Sequence, residues 1–566
     1  MFSRRQELEY AVLVVAWLTF SAYFWRWWLT PGQAGGPVLY VMTSLCLFYG
    51  FTLLPSFYLF YLGWMRRPVH VDVDQVEKGV IGRVAVITLT VPGSEALSIV
   101  RRQLSAMRDL SYPHDNWVLV DRQHSPEIER LAGELGVRYF CRHDEGTWGA
   151  TAVDRWNRPG PPFQSRTKSG NVNAWLDAHG WEYSHFTQLD IDHHPVPDYL
   201  QRVLGFFRNR RVAWVQAPSV YGNHEHWPAR GSSEQEFVLQ GPLQMGFFGF
   251  CRTPFIIGSH CTYDMDAVRE IGGFQPTRAE DHLNTVRLAA MGYEGVFLPE
   301  VIAVGDGPES FDAYLSQQFA WAYSMIEVLF HFTPRLIRRY TPRQAVQFLF
   351  VQTWYTCWSL TTLLLFTTPL LSLASNTPVS RVSLWQFLLH SWPAALTATA
   401  TWVWSRPWHH PHRLRLSWRS AVLQVARWVT VLRAFIAVVL GVRKPYMITE
   451  KGLSTISPPP FRLSLLAPYA GLVLASLAAC WWYLLTIGGS TTEGMLFFAL
   501  EGALLFTTLI GVVLYLDVRA LVGSGMTWRE GLHLRSRAVT TAAALTVLVL
   551  VTVVPSSGLI WHAVVG

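Results

Sequence analysis

His185-Phe186-Thr187-Gln188-Leu189 runs directly into Asp190-Ile191-Asp192-His193-His194-Pro195. A short apolar run that ends in two carboxylates and then a proline reads as a buried strand whose carboxyl end presents charged side chains. Upstream, residues 84–89 and 117–120 are further short β-rich runs, with a helical pattern at 95–107 between them, and the 117–120 run ends in Asp121. Downstream, Val212–Gln216 is another such run and ends in Ala217-Pro218. Strand, helix and strand in this order is how a parallel α/β sheet begins. Ligands of such sheets bind beyond the carboxyl ends of the strands, so Asp121, Asp190 and Asp192 stand where chemistry is to be sought.

The domain read from those runs is embedded in a more apolar chain. Of 566 residues half are hydrophobic and 26 are Trp, and mean hydropathy is +0.20. This excludes an ordinary soluble protein. Residues 80–310 are mixed and charged, whereas both flanks carry long runs almost without charge. A helix needs roughly 20 apolar residues to cross a bilayer. Candidates lie near 10–30, 37–64, 345–374, 384–404, 464–486, 495–517 and 538–562, about seven spans by that rule. The first run has no small-residue cleavage site and reads as a retained anchor. Residues 419–441 are interrupted by Arg427 and Arg433 and read as an interfacial helix, because a central Arg is costly in a span. Glu501 within a run fits a polar channel and fits equally a helix end that reaches water.

Arg4 and Arg5 precede the first run, Arg66 and Arg67 follow the second, and Arg519, Arg529, Arg535 and Arg537 lie between the last two. By the positive-inside rule this puts the 80–310 domain in the cytoplasm of a multi-pass plasma (inner) membrane protein. The same rule accounts for much of the formal charge of +7, which leaves no case for nucleic acid as a partner. The six cysteines are scattered without a CxxC pair, so neither a disulfide framework nor a zinc site is expected.

Two carboxylates one residue apart, as in Asp190 and Asp192, can bring oxygens to a hard cation that also holds a diphosphate. The same spacing recurs at Asp72/Asp74 and Asp264/Asp266, where a solvated turn is the plainer reading. Asp121 suits a nucleobase or ribose, or simply a turn. Lys168-Ser169-Gly170-Asn171 offers a cation, a closely approachable backbone and an amide. Glu280-Asp281, after Gly272-Gly273-Phe274, opens a helical run and can act as a cap or as a general base.

In order along the chain, Val120-Asp121, Lys168-Ser169-Gly170-Asn171, Leu189-Asp190-Ile191-Asp192-His193, Val215-Gln216-Ala217-Pro218, Ile257-Gly258-Ser259, Ile271-Gly272-Gly273-Phe274, Ala279-Glu280-Asp281 and Gln317-Gln318-Phe319-Ala320-Trp321 resemble the family 2 glycosyltransferases. The resemblance is to their membrane-embedded branch of cellulose and hyaluronan synthases. Tyr446-Met447-Ile448-Thr449-Glu450-Lys451 is similar to the branch's FxVTxK gating loop. The resemblance implies a GT-A-type α/β catalytic domain inserted between transmembrane helices, with interfacial helices beside it. It divides the chain into a transmembrane hairpin (1–70), the cytoplasmic GT-A domain (80–307), interfacial helices with the QxxxW motif (308–343), a transmembrane pair (344–404), an interfacial helix with the gating loop (405–460) and C-terminal transmembrane helices (461–566).

The implied activity is inverting transfer from a nucleotide-sugar, a UDP-sugar first, to a growing β-linked polysaccharide extruded across the membrane. Addition of one sugar to a membrane lipid, and a catalytically silent scaffold, are the alternatives. Partners are the donor, a glycan or lipid acceptor and membrane lipids. By residue, the resemblance makes Asp281 the general base and has Asp121 contact the nucleotide. It gives Asp190 and Asp192 the nucleotide and a metal, Mg²⁺ or Mn²⁺. Lys168, Glu280, Gln317, Trp321, Thr449 and Lys451 also face substrate. Two departures stand out: Ala320 replaces the Arg of QxxRW, and Arg122 replaces the second Asp of a usual Asp-Asp pair. Residues 143–165 look like an added loop near the nucleotide side. With little chain after the last apolar run, no appended cyclic-dinucleotide sensor is expected.

Overall fold

A computed structural model describes residues 2–77, 79–142, 167–275, 280–410, 418–442, 461–488 and 492–565. The strands expected from the sequence form within about two residues of their expected ends. The strands among the described residues are β1 (Val84–Thr90), β2 (Asp115–Asp121), β3 (Arg138–Arg142), β4 (His185–Asp190), β5 (His194–Pro195), β6 (Val212–Gln216), β7 (Cys261–Asp264), β8 (Glu294–Phe297) and β9 (Ala303–Val304), of which β3, β5, β7, β8 and β9 are not among those expected. The helix expected at 95–107 is Leu97–Arg108. It starts late because the Glu95 carboxylate is spent on the strand end, accepting from Thr90 Oγ1 at 2.9 Å and from the Val91 N–H at 3.2 Å.

Seven strands form one sheet in the order β3-β2-β1-β4-β7-β6-β8, and β5 pairs with β9 beside it. The sheet is mixed, because β7 runs antiparallel to both β4 and β6 while the other neighbours are parallel. Side chains alternate between two cores, as the two-residue period of a strand requires. Val84, Val86, Val118, Val120 and Leu189 face one layer with Val100, Leu104 and Met107. Ala85, Ile87, Trp117, Leu119 and Phe186 face the other with Trp175 and Leu176. Burial on both faces explains why these strands read as continuous apolar runs.

Among the described residues seven helices are long and apolar enough to cross a membrane: Arg4–Trp28, Pro37–Trp64, Pro342–Ser375, Trp418–Val439, Ala467–Thr486, Gly494–Gly523 and Ser536–His562. The membership differs in one place from that expected. Leu384–Trp404 is a helix, but Gln386, His390, Ser391 and three Thr dilute its hydropathy. Trp418–Val439, expected at the interface, meets the length and apolarity of a span despite Arg427. Arg427 is buried there, its guanidinium 4.9 and 5.2 Å from the Trp354 and Trp358 rings and donating to Gln318 Oε1 at 3.1 Å. The charge is thereby shielded from lipid.

The hairpin and the sheet domain are joined by backbone contact. Helix Gln244–Cys251 lies against the end of Leu54–Trp64, where the Arg66 N–H donates to the Met245 carbonyl at 3.2 Å. A Cβ on Gly249 would sit 1.8 Å from the Trp64 carbonyl oxygen. Gly249→Val is therefore expected to destabilise the protein by about 2 kcal/mol or more, as overpacking does. The check is the thermal midpoint of the detergent-solubilised protein beside Gly133→Ala, which meets no atom within 4 Å and should leave it unchanged or raised.

Candidate active site

Because β1, β2 and β4 are parallel, their carboxyl ends share one edge of the sheet, where Asp121 and Asp190 are the last residues of β2 and β4. β7 enters from that same edge, so the turn before it, Gly258-Ser259-His260, lies beside Asp190. The Asp190 N–H donates to Ser259 Oγ at 3.0 Å, and Gln188 Nε2 donates to the Gly258 carbonyl at 2.9 Å. Lys168, the first residue of helix Lys168–Ala178, reaches across and donates from Nζ to Asp190 Oδ1 and to the Gly258 carbonyl, both at 2.7 Å.

Asp281, in the first turn of helix Glu280–Ala290, completes the cluster from the other side. Gly258 has φ +82°, and a Cβ there would fall 2.2 and 2.5 Å from the two Asp281 carboxylate oxygens. Only glycine suits this position, in conformation and in space. Enclosure pushes the Asp281 carboxyl up to about 6, with the Lys168 charge opposing the rise and Asp190 adding to it. The neighbouring Glu280 is driven well up too, by burial first and by Asp281 second. Lys168, Asp190, Glu280 and Asp281 thus form one electrostatic unit.

The Asp190 and Asp192 carboxylates and the His193 ring offer ligand atoms all within 4.8 Å of one another. Two carboxylates and an imidazole at this spacing fit one divalent ion with modest side-chain movement, and oxygen-rich sets of this kind suit Mg²⁺ or Mn²⁺. His193 was legible only as context in the sequence; its adjacency to Asp-x-Asp was the signal. Its ring packs against Gly305, stacks on His260 at 5.4 Å, and its Nε2 lies 3.3 Å from Ser219 Oγ. The competing Asp-x-Asp pairs have plainer duties: Asp72 accepts from the Asp74 N–H, and Asp264 caps helix Met265–Glu270 through the Ala267 N–H.

Asp121 is buried and held by Arg142, which donates to its two carboxylate oxygens at 3.1 and 2.8 Å, while the Arg122 N–H donates to Oδ1 at 2.9 Å. Its carboxylate is half of a fixed ion pair at the strand edge, with Arg122 in the left-handed region at φ 73°. Gln317 and Trp321, both half-buried, lie one turn apart on helix Phe311–Glu327. Gln317 lies near buried Tyr221, which is within electrostatic reach of Asp190 and Asp192. Tyr221 was not singled out in the sequence. Thr449, Lys451 and residues 143–165 lie outside the described residues, as does Ala279.

Residues 185–405 match the protein family described as glycosyl transferase family group 2. The cellulose synthase catalytic subunit (UDP-forming) of Komagataeibacter sucrofermentans is 26% identical over 242 residues, covering 41% of this chain and 30% of that one. Cellulose synthase 2 of Novacetimonas hansenii is 23% identical over 453 residues, 78% of this chain and 26% of that one. The chain therefore spans under a third of the length of these two relatives. Among solved structures, the mannosyltransferase PcManGT of Pyrobaculum calidifontis, in complex with GDP-Man and Mn²⁺, is 15% identical with a TM-score of 0.47, covering 72% of this chain and 100% of that one.

If the acids after β4 hold a divalent ion, Asp192→Asn will weaken Mn²⁺ binding by on the order of tenfold or more, since even outer-shell changes reach that size. Asp264→Asn, the same substitution at a helix cap, will not. Free Mn²⁺ measured by electron paramagnetic resonance in a titration decides it; equal affinities for Asp192→Asn and the parent would remove Asp192 from the site.

Proposed function

We propose that this chain, a membrane-embedded, cellulose-synthase-like family 2 glycosyltransferase with a GT-A-like core, is an inverting enzyme that takes sugar from a UDP-sugar, extends a β-linked glycan on the cytoplasmic side and passes it out through its own helices. The observation that carries this reading is the meeting of Lys168, Asp190 and Asp281 around Gly258, beside a strand-end acid cluster suited to a cation. Transfer with inversion needs a base for the acceptor and positive charge for the departing diphosphate, on opposite sides of the anomeric carbon. The cluster holds both kinds of group.

In the proposed step the acceptor hydroxyl gives its proton to Asp281 as its oxygen bonds the anomeric carbon, and the bond from that carbon to the diphosphate oxygen breaks with its electron pair going to UDP. A carboxyl raised by enclosure is a stronger base than a solvated one and still ionised near neutrality. Lys168 fixes Asp190 and, through the Gly258 carbonyl, the wall against which Asp281 rests. A divalent ion at Asp190, Asp192 and His193 would supply the charge that offsets the diphosphate. Gln317 and Trp321 take an acceptor-side or diphosphate-side role, Glu280 supports its neighbour, Asp121 with Arg142 serves the nucleotide, and Thr449 and Lys451 close on the diphosphate. The arginines at 4, 5, 66, 67, 519, 529, 535 and 537 support a cytoplasmic catalytic face in the plasma (inner) membrane.

The reading is tested with purified protein in vesicles given radiolabelled UDP- and GDP-sugars with Mg²⁺ or Mn²⁺. A high-mass, glycosidase-sensitive product from a UDP-sugar is expected; a lipid-extractable single sugar, or no transfer from any donor, would overturn it. Asp281→Asn is expected to lower transfer by on the order of 10²–10⁴-fold while UDP binding, followed by calorimetry, changes little. Protonated Asp281 cannot accept a proton, so kcat/KM should fall as pH drops through about 6 and level off above it. A flat profile between pH 5 and 8 would remove Asp281 as the base.

A further inference from the structure

Immediately after Asp281 stands His282, which is 6% exposed and has a partner in a different layer of the protein. Gln352, fully buried on the apolar helix Pro342–Ser375, donates from Nε2 to His282 Nε2 at 2.9 Å. The other end of that amide is also taken, since Thr333 Oγ1 donates to Gln352 Oε1 at 2.7 Å. The amide is thus held at both ends, one on the His282 ring and the other on the Thr333 hydroxyl. Phe255 and Phe348 meet the imidazole edge-on at 5.1 and 6.1 Å, and Tyr61, Phe247, Leu283 and Val286 belong to the same apolar cluster. Burial drives the His282 ring down to about 3, so it stays neutral beside the Gln352 amide.

A glutamine in a span is costly unless paired, and an apolar residue of similar volume would pack among these phenyl rings. What the polar bridge adds is direction. The same helix start is also tied by Thr285, whose Oγ1 donates to the Asp281 carbonyl at 3.1 Å and accepts from the Ile256 N–H at 3.0 Å. Helix Pro342–Ser375 continues past Gln352 to Trp354 and Trp358, parallel at 5.4 Å, which flank Arg427 and through it meet Gln318 next to Gln317. One span thus touches both the helix that carries Asp281 and the helix that carries Gln317.

Building on the role proposed above for Asp281, we propose that His282 is a positioning residue: with Gln352 and Thr333 it registers the Asp281 carboxylate to the span Pro342–Ser375, so that base and acceptor are set by the same helix. A misplacement of about 1 Å at a reacting group can lower a rate by on the order of 100-fold, which is the scale on which such a tie acts.

The test uses the full chain in lipid nanodiscs with His282→Leu, the volume-conserving Gln352→Met and the double variant. Expected are a fall in kcat of at least about tenfold for each single change, with KM for the donor and calorimetric UDP affinity within about twofold. The double variant should be no slower than the slower single, because the two residues act through one bond. Hydrogen exchange followed by mass spectrometry should rise in 280–290 for Gln352→Met. That arm does not depend on activity: if the parent transfers nothing, the transferase reading fails while exchange still decides the tie. Unchanged exchange in 280–290, additive losses in the double variant, or parallel losses of kcat and UDP binding would overturn the proposal.

Discussion

Gly258 is the point at which the two sides of the candidate site touch, and its other groups are arranged around it. Its carbonyl oxygen accepts from Lys168 and Gln188, while its bare Cα makes room for the Asp281 carboxylate. The strand-end acids and the helix-borne acid are thereby set apart by the width of one backbone residue. Two carboxylates that close would repel each other; Lys168 stands between them, bonded to Asp190, and offsets part of the rise that enclosure imposes on Asp281. Position and proton affinity are consequences of the same packing, and no side chain larger than hydrogen is compatible with it at φ +82°.

Much of this was legible in the sequence because local chemistry announces it. The strand ends at Asp121 and Asp190 and the Glu280-Asp281 helix start were visible as changes of period beside charged residues, whereas nothing local showed that Lys168 opens a helix. What could not be read was which groups meet. β7 turns antiparallel between β4 and β6 and brings Gly258 to the edge, a tertiary pairing with no local signature. Asp121 looked available, yet its partner Arg142 lies 21 residues on and finds it only because β3 pairs with β2. His282 carries no local signal of its role, since Gln352 is 70 positions away.

The membrane helices mislead for a related reason. Hydropathy averages along the chain, but the cost of a charge depends on what surrounds it. Arg427 argued against a span when its neighbours in sequence were counted, and its neighbours in space are Trp354, Trp358 and Gln318. A guanidinium over indole faces with an amide acceptor is far better provided for than one facing lipid. Leu384–Trp404 shows the converse. Its threonines return their hydroxyls to carbonyls four residues back, as Thr397, Thr399 and Thr401 do, so a helix of modest hydropathy still hides its polar groups.

Arg427 also bears on the arginine that Ala320 replaces. It would be tempting to read the one as compensation for the other, since Gln318, its partner, is only two residues from Ala320. Two residues on a helix are about 200° apart, however, so the two positions face nearly opposite ways. Gln317 and Trp321 share the Ala320 side, and Gln318 lies with buried Tyr314 and Ala322 on the side packed along Trp418–Val439. Arg427 therefore anchors the back of the helix, and the face that carries Gln317 and Trp321 is left without the family's cation. On the reading proposed above, charge for the departing diphosphate would come from the sheet edge, through Lys168 and the ion that Asp190, Asp192 and His193 would hold, together with Lys451.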